Sequence, residues 1–199
     1  MINISLKLFI FLIIISGNMQ SQDQLPFKSI PKYPDNYKSG NIVLRMIQGL
    51  GYRYFWATEG LRDKDLKYRP SNEAMSSYET LEHIYGLAET INNASSKKVN
   101  YRPYRDAPKN FESIRRETLE HLQLAANRFN NLSYDEISSN EIIFESDDGQ
   151  ISVFPLWNLI NGQISDALYH TGQIVSFRRT TGNPINKGVN VFMGRTKEL

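Results

Sequence analysis

The chain predicts an all-α protein, a four-helix bundle with a small β-hairpin in the crossover between the third and fourth helices. Three observations carry that expectation. Apolar residues recur at helical spacing in four stretches, near 39–61, 76–94, 110–132 and 155–181. The prolines and polar turn residues concentrate between those stretches. Ile142-Ile143-Phe144-Glu145 and Ile151-Ser152-Val153-Phe154 flank Asp147-Asp148-Gly149, the pattern of a short hairpin.

The first helix carries a stripe of Ile42, Met46, Leu50, Tyr54 and Ala57. Gly49, Gly51 and Gly60 weaken it by about 1 kcal/mol for each interior position. Residues 63–70 follow as a loop that Pro70 keeps extended. Ser76 and Glu79 have capping-box spacing, so the second helix starts there and buries Leu81, Ile84, Ala88 and Ile91. Pro103 and Pro108 make residues 97–108 a loop. The third helix lines up Ile114, Thr118, Leu122, Ala125, Phe129 and Leu132. Pro155 suits the first position of the fourth helix, and Gly182 is its natural stop. Its stripe is Trp157, Ile160, Ile164, Ala167, Thr171 and Ile174, with Trp56 and Trp157 as core anchors.

The length of 199 residues suits one domain, placed at 39–184. Residues 22–38 carry three prolines and read as an extended linker or a strap over the domain. Residues 185–199 read as a C-terminal tail in which Val191, Phe192 and Met193 can dock. Lys7, the apolar run Leu8 to Ile15 and the small or polar Ser16-Gly17-Asn18 describe a secretory signal peptide over 1–21. The expected location is therefore periplasmic or secreted; the alternative is an uncleaved anchor. Basic and acidic side chains number 23 and 21, for a formal charge of +2. That near-balance gives no reason to expect nucleic acid or, after signal cleavage, a membrane surface as partner. A homodimer stays open. The absence of cysteine excludes disulfides, thiolate nucleophiles and cysteine zinc sites.

One constellation carries chemistry. Asp166 and His170 stand four apart, so on a helix they share a face one turn apart. His83 is a third candidate ligand upstream. Gln173, three residues after His170, can hydrogen-bond that shell or a substrate, or satisfy a backbone group. Gly172 is expected to let a neighbouring helix approach closely. Arg178 can bind an anionic substrate, but an ion pair with another helix is the expected role; His121 is expected on the surface.

Three pieces of this chain resemble the DinB-like family, the DinB/YfiT-like metalloproteins. They are Glu59-Gly60-Leu61 with Asp65-Leu66-Lys67-Tyr68-Arg69-Pro70, then Leu81-Glu82-His83-Ile84, then Tyr169-His170-Thr171-Gly172-Gln173-Ile174 with Phe177-Arg178-Arg179 and Gly182-Asn183-Pro184. The resemblance spans about Ser39 to Pro184. It implies a four-helix bundle whose metal triad maps to His83, Asp166 and His170. Asp166 stands where the family has a histidine, which makes the set two imidazoles and a carboxylate. A divalent transition metal is implied as cofactor: zinc, nickel, manganese or iron. The implied activity is metal-dependent hydrolysis or thiol-dependent transfer on a small-molecule substrate. No general base sits beside the triad in sequence; Glu59, Glu82 and Tyr85 are candidates only through the expected nearness of their helices. The rival is a non-catalytic bundle that binds a small ligand or a protein partner.

Overall fold

The computed structural model describes residues 24–103 and 108–197. The segment read as a signal peptide lies outside them. The helices are α1 (Ser39–Thr58), the short α2 (Asp63–Leu66), α3 (Ser77–Ser95), α4 (Phe111–Phe129), the short α5 (Tyr134–Ser138) and α6 (Ser165–Thr180). A π-helical segment, Leu159–Ile164, runs directly into α6. The strands are β1 (Val99–Arg102), β2 (Glu141–Ser146), β3 (Ile151–Pro155), β4 (Val189–Asn190) and β5 (Arg195–Thr196).

α1 and α3 each pack against both α4 and α6. The shared core holds Ile47, Leu50, Leu81, Ile84, Ile91, Ile114, Leu119, Leu122, Ala167 and Ile174. α3 begins as its sequence demands: Ser76 Oγ accepts from the Glu79 N–H at 3.2 Å, and the Ser76 N–H donates to Glu79 at 2.6 Å. These bonds and Arg69 hold the Glu79 carboxyl down at about 2.

The protein is mostly helical rather than all-α. The expected hairpin, β2 with β3, is joined by β1 within residues read as a loop, and β1 pairs parallel to β2. Four residues between lysines and a proline give little local signal, and a parallel partner 44 positions away gives none. Two further short helices were also read as irregular chain. α5 is nonetheless announced by a capping box between Ser133 and Glu136. α2 has one half of that arrangement: the Asp65 carboxylate accepts from the Arg62 N–H at 2.8 Å, while the arginine side chain only donates.

The fourth long helix departs most from its expected form. Pro155 ends β3, and helical turns begin only at residue 157. The π segment then adds residues per turn, so everything before it is rotated relative to the α-helical stripe. Leu159 is fully buried where Ile160 was expected, and Trp157 is 73% exposed instead of anchoring the core. Ser165 Oγ donates to the Ile160 carbonyl at 2.7 Å, across the π turn. On α1 the buried face centres on Val43, Ile47, Leu50 and Tyr54, leaving Ile42 half exposed. Trp56 packs against the core edge and donates from Nε1 to the Lys28 carbonyl at 3.2 Å.

The linker is a docked strap. Phe27 is buried against Gly51, where a Cβ would meet the Phe27 ring at 2.6 Å. Gly40 is tighter still: a Cβ there would lie 2.2 Å from the Phe129 carbonyl oxygen and 2.7 Å from the Leu132 nitrogen. Backbone cannot swing away as a side chain does. Gly40→Ala is therefore expected to lower stability by about 1–3 kcal/mol, read as a reduced urea midpoint with an unchanged slope.

Candidate metal centre

α3 supplies His83, and α6 supplies Asp166 and His170 one turn apart. Packing of α3 on α6 through Leu81, Ile84, Ala167, Thr171 and Ile174 brings the three side chains together beside the core. His83 Nε2 lies 3.1 Å from Asp166 Oδ2, and His170 Nε2 lies 3.2 Å from Asp166 Oδ1. The imidazoles meet edge to face at 4.7 Å. One ligand atom from each residue falls within 4.8 Å of the other two, so the group can hold a metal ion.

The carboxylate thus has one ring nitrogen on each oxygen. The orientation of the Gln173 amide assigns which nitrogen of His170 is available. Its Oε1 stands 2.8 Å from His170 Nδ1 and only accepts, so Nδ1 carries the hydrogen. In neutral His170 the Nε2 lone pair then faces a carboxylate oxygen. Two acceptors at 3.2 Å repel unless a cation stands between them, either a proton or a metal ion. The donor chemistry fits a divalent metal, with Gln173 fixing tautomer and ring angle as outer partners of metal histidines do.

Enclosure is uneven. The His170 side chain is 12% exposed, against 37% for His83 and 42% for Asp166. One ligand is held by the fold while the other two border solvent, which leaves the centre open to a small molecule. The Tyr169 ring lies 5.1 Å from the His170 ring at 75°. Nothing in the sequence spacing singles out Tyr169, since adjacent helical residues normally diverge.

Other anticipated residues have different surroundings. No side chain comes within 4 Å of where a Gly172 Cβ would be, so it does not admit a close helix. Glu59 is engaged by Arg115, and the Tyr85 ring packs 5.5 Å from His121. His121 is half-buried rather than on the surface; its Nδ1 meets the Asn92 amide at 2.9 Å. Burial, then the Arg128 charge, pushes its pKa down. The Glu82 carboxyl, next to His83, is pushed up by burial and then by Glu79.

Among the described residues Arg178 forms no ion pair; it caps carbonyls instead. Its guanidinium donates to Trp56, Ala57 and Glu59 oxygens at 3.1, 2.9 and 2.9 Å, and to that of Asn183 at 2.6 Å. Compared with protein-family models, with curated proteins and with solved structures, the chain finds no match in any of the three.

Proposed function

We propose that this chain is an exported metalloprotein of the DinB-like kind, a four-helix bundle holding one divalent transition metal at His83, Asp166 and His170. The observation that carries this reading is the carboxylate clamped between two imidazole nitrogens, with Gln173 turning the His170 lone pair inward. When bound, such a metal supplies Lewis acidity, which polarises a carbonyl or lowers the pKa of water or a thiol toward neutrality.

The chain's residues do the rest. His83 and His170 offer neutral nitrogen donors, and Asp166 offsets part of the ion's charge. Gln173 holds the His170 ring, and the exposed side of Asp166 and His83 admits a substrate. The corresponding reaction is hydrolysis or thiol-dependent group transfer. Export favours hydrolysis, because low-molecular-weight thiol cosubstrates belong to the reducing cytosol.

The rival, a bundle that binds a small ligand without catalysis, has one observation in its favour. An apolar cavity of about 250 Å³ lies among Ile42, Val43, Ile137, Leu156, Trp157 and Ile160. Metal analysis separates the two readings. Purified protein should take up about one zinc, nickel or manganese ion per chain. Protein that stays metal-free after incubation with all three leaves the ligand-binding bundle as the better account.

Export has its own test. Expressed with its leader in a bacterium, the protein should be recovered outside the cytoplasm without at least its first 17 residues. Intact chain in the cytosolic fraction refutes export.

A further inference from the structure

We propose that the C-terminal hairpin and the strap beside it form a docking surface for an anionic lipid bilayer. The hairpin β4–β5 presents Val191, Phe192 and Met193 at its tip, 44%, 91% and 45% exposed. Three consecutive exposed apolar residues are unfavourable in water, and such a run on a folded surface marks a contact site.

The tip is built to hold that shape. Asn190 Oδ1 accepts from the Phe192 and Met193 N–H groups at 3.1 and 3.0 Å. The Gly194 N–H returns to the Asn190 carbonyl at 2.9 Å, and Gly194 adopts φ +64°. The Ile30 N–H donates to the Gly194 carbonyl at 2.8 Å, which fastens the strap to the hairpin. The Tyr52 and Thr196 hydroxyls meet at 2.8 Å, which fastens the hairpin to α1.

Charge identifies the partner. The two joined segments, residues 24–34 and 185–197, contain Lys28, Lys32, Lys187, Arg195 and Lys197 and no carboxylate. All five cations are exposed. Against a whole-chain charge of +2, everything outside these segments therefore sums to −3. The near-balance of the whole chain, which argued against a membrane surface, conceals this local asymmetry. Asp35 directly follows the strap segment and is exposed, so five cations stand against this one described adjoining carboxylate; Asp23 and Glu198 also adjoin the segments and lie outside the described residues.

Tyr33, 66% exposed, adds an aromatic ring with a polar tip near the same surface, and Arg45 lies 4.7 Å above it. An apolar tip among basic and aromatic side chains matches the layering of a bilayer, with acyl chains beneath anionic headgroups. No helix among the described residues is long and apolar enough to cross a membrane, so this contact would be peripheral.

The test compares full-chain protein with Phe192→Ser/Met193→Ser and with Lys187→Gln/Arg195→Gln/Lys197→Gln. All three carry the same N-terminus, so the leader contributes equally. Co-sedimentation uses phosphatidylcholine vesicles with and without one-third phosphatidylglycerol. Wild type should prefer the anionic vesicles at low salt and weaken as salt screens the charges. Each variant should lose about tenfold or more in partitioning. Trp emission of Phe192→Trp should shift to the blue on anionic vesicles.

Partitioning unchanged in the tip variant, or no emission shift, overturns the proposal. Loss in the charge variant alone assigns the patch to a soluble polyanion and also overturns it. So does a wild-type dimer that dissociates in the tip variant without vesicles, which would make the tip a self-contact. Unaltered circular dichroism confirms that these surface variants fold.

Discussion

His170→Ala is expected to weaken divalent-metal binding by roughly a hundredfold or more, measured by competition titration against a chromogenic chelator. The magnitude follows from which ligand is lost. His170 is the least exposed of the three, and its ring is set by the Gln173 bond, so its nitrogen is the one already oriented. What remains, His83 and Asp166, borders solvent and cannot enclose an ion. Gln173→Ala keeps every ligand and frees the ring, so the expected loss is smaller, about 10- to 100-fold. Asp166→His should retain or strengthen zinc and nickel binding, because a softer donor replaces the carboxylate on the same helix face. His121→Ala is the control, since that ring faces Asn92 and Tyr85. Equal metal binding by His121→Ala and His170→Ala would sink the metal centre.

Arg178→Ala is expected to cost about 3–5 kcal/mol of stability while leaving metal affinity intact. Arg178 is buried, and it satisfies carbonyls at the C-terminal end of α1, where helix carbonyls lack partners and the dipole is negative. Burial pushes its pKa down from the usual arginine value, yet the group is a cation at any ordinary pH. Beside it, buried Asp65 accepts from the Arg62 backbone at 2.8 Å, the Arg62 guanidinium at 2.8 and 2.9 Å, Asn183 at 2.7 Å, and Thr181. The Asn183 amide also reaches the Gly60 carbonyl at 2.9 Å. A variant within 1 kcal/mol of wild type in urea would show that the carbonyls find water instead.

The same knot fixes an acid limb. The Arg62 side-chain bonds, above all, hold the Asp65 carboxyl well below the usual aspartate range, against the opposing effect of burial. A depressed folded pKa means that the native state favours the charged form. Its contribution is complete above the ordinary aspartate value of about 3.9, shrinks as pH falls below it, and is gone below the folded value. Asp65→Asn should therefore lower the urea midpoint at pH 7 and flatten its decline from pH 4 downward. Parallel acid limbs in the two proteins would refute this.

Much of this protein was legible because it is local. The capping box of Ser76 and Glu79, the buried faces of α3 and α4, and the shared face of Asp166 and His170 depend on residues within a turn or two. Helical geometry alone places them. The resemblance also drew attention to Glu59-Gly60-Leu61, Asp65, Arg178 and Gly182-Asn183. It did not show that these distant pieces meet in one carbonyl-capping knot, which is why Arg178 was expected in an ion pair.

What the linear chain settled was the existence and inward faces of most helices, the absence of cysteine and so of a thiolate nucleophile or cysteine ligand in these 199 residues, and the candidate ligands. Tertiary structure decided that His83 reaches Asp166 across 83 positions, that β1 finds β2 in parallel, and that the strap fastens to the C-terminal hairpin. It also decided the phase of the fourth helix: a π turn inserted before Ser165 moved Trp157 out of the core. Periodicity reports on neighbours a few residues apart. The meeting of distant segments, and a π turn that changes helical pitch, are set by the sum of packing over the whole core.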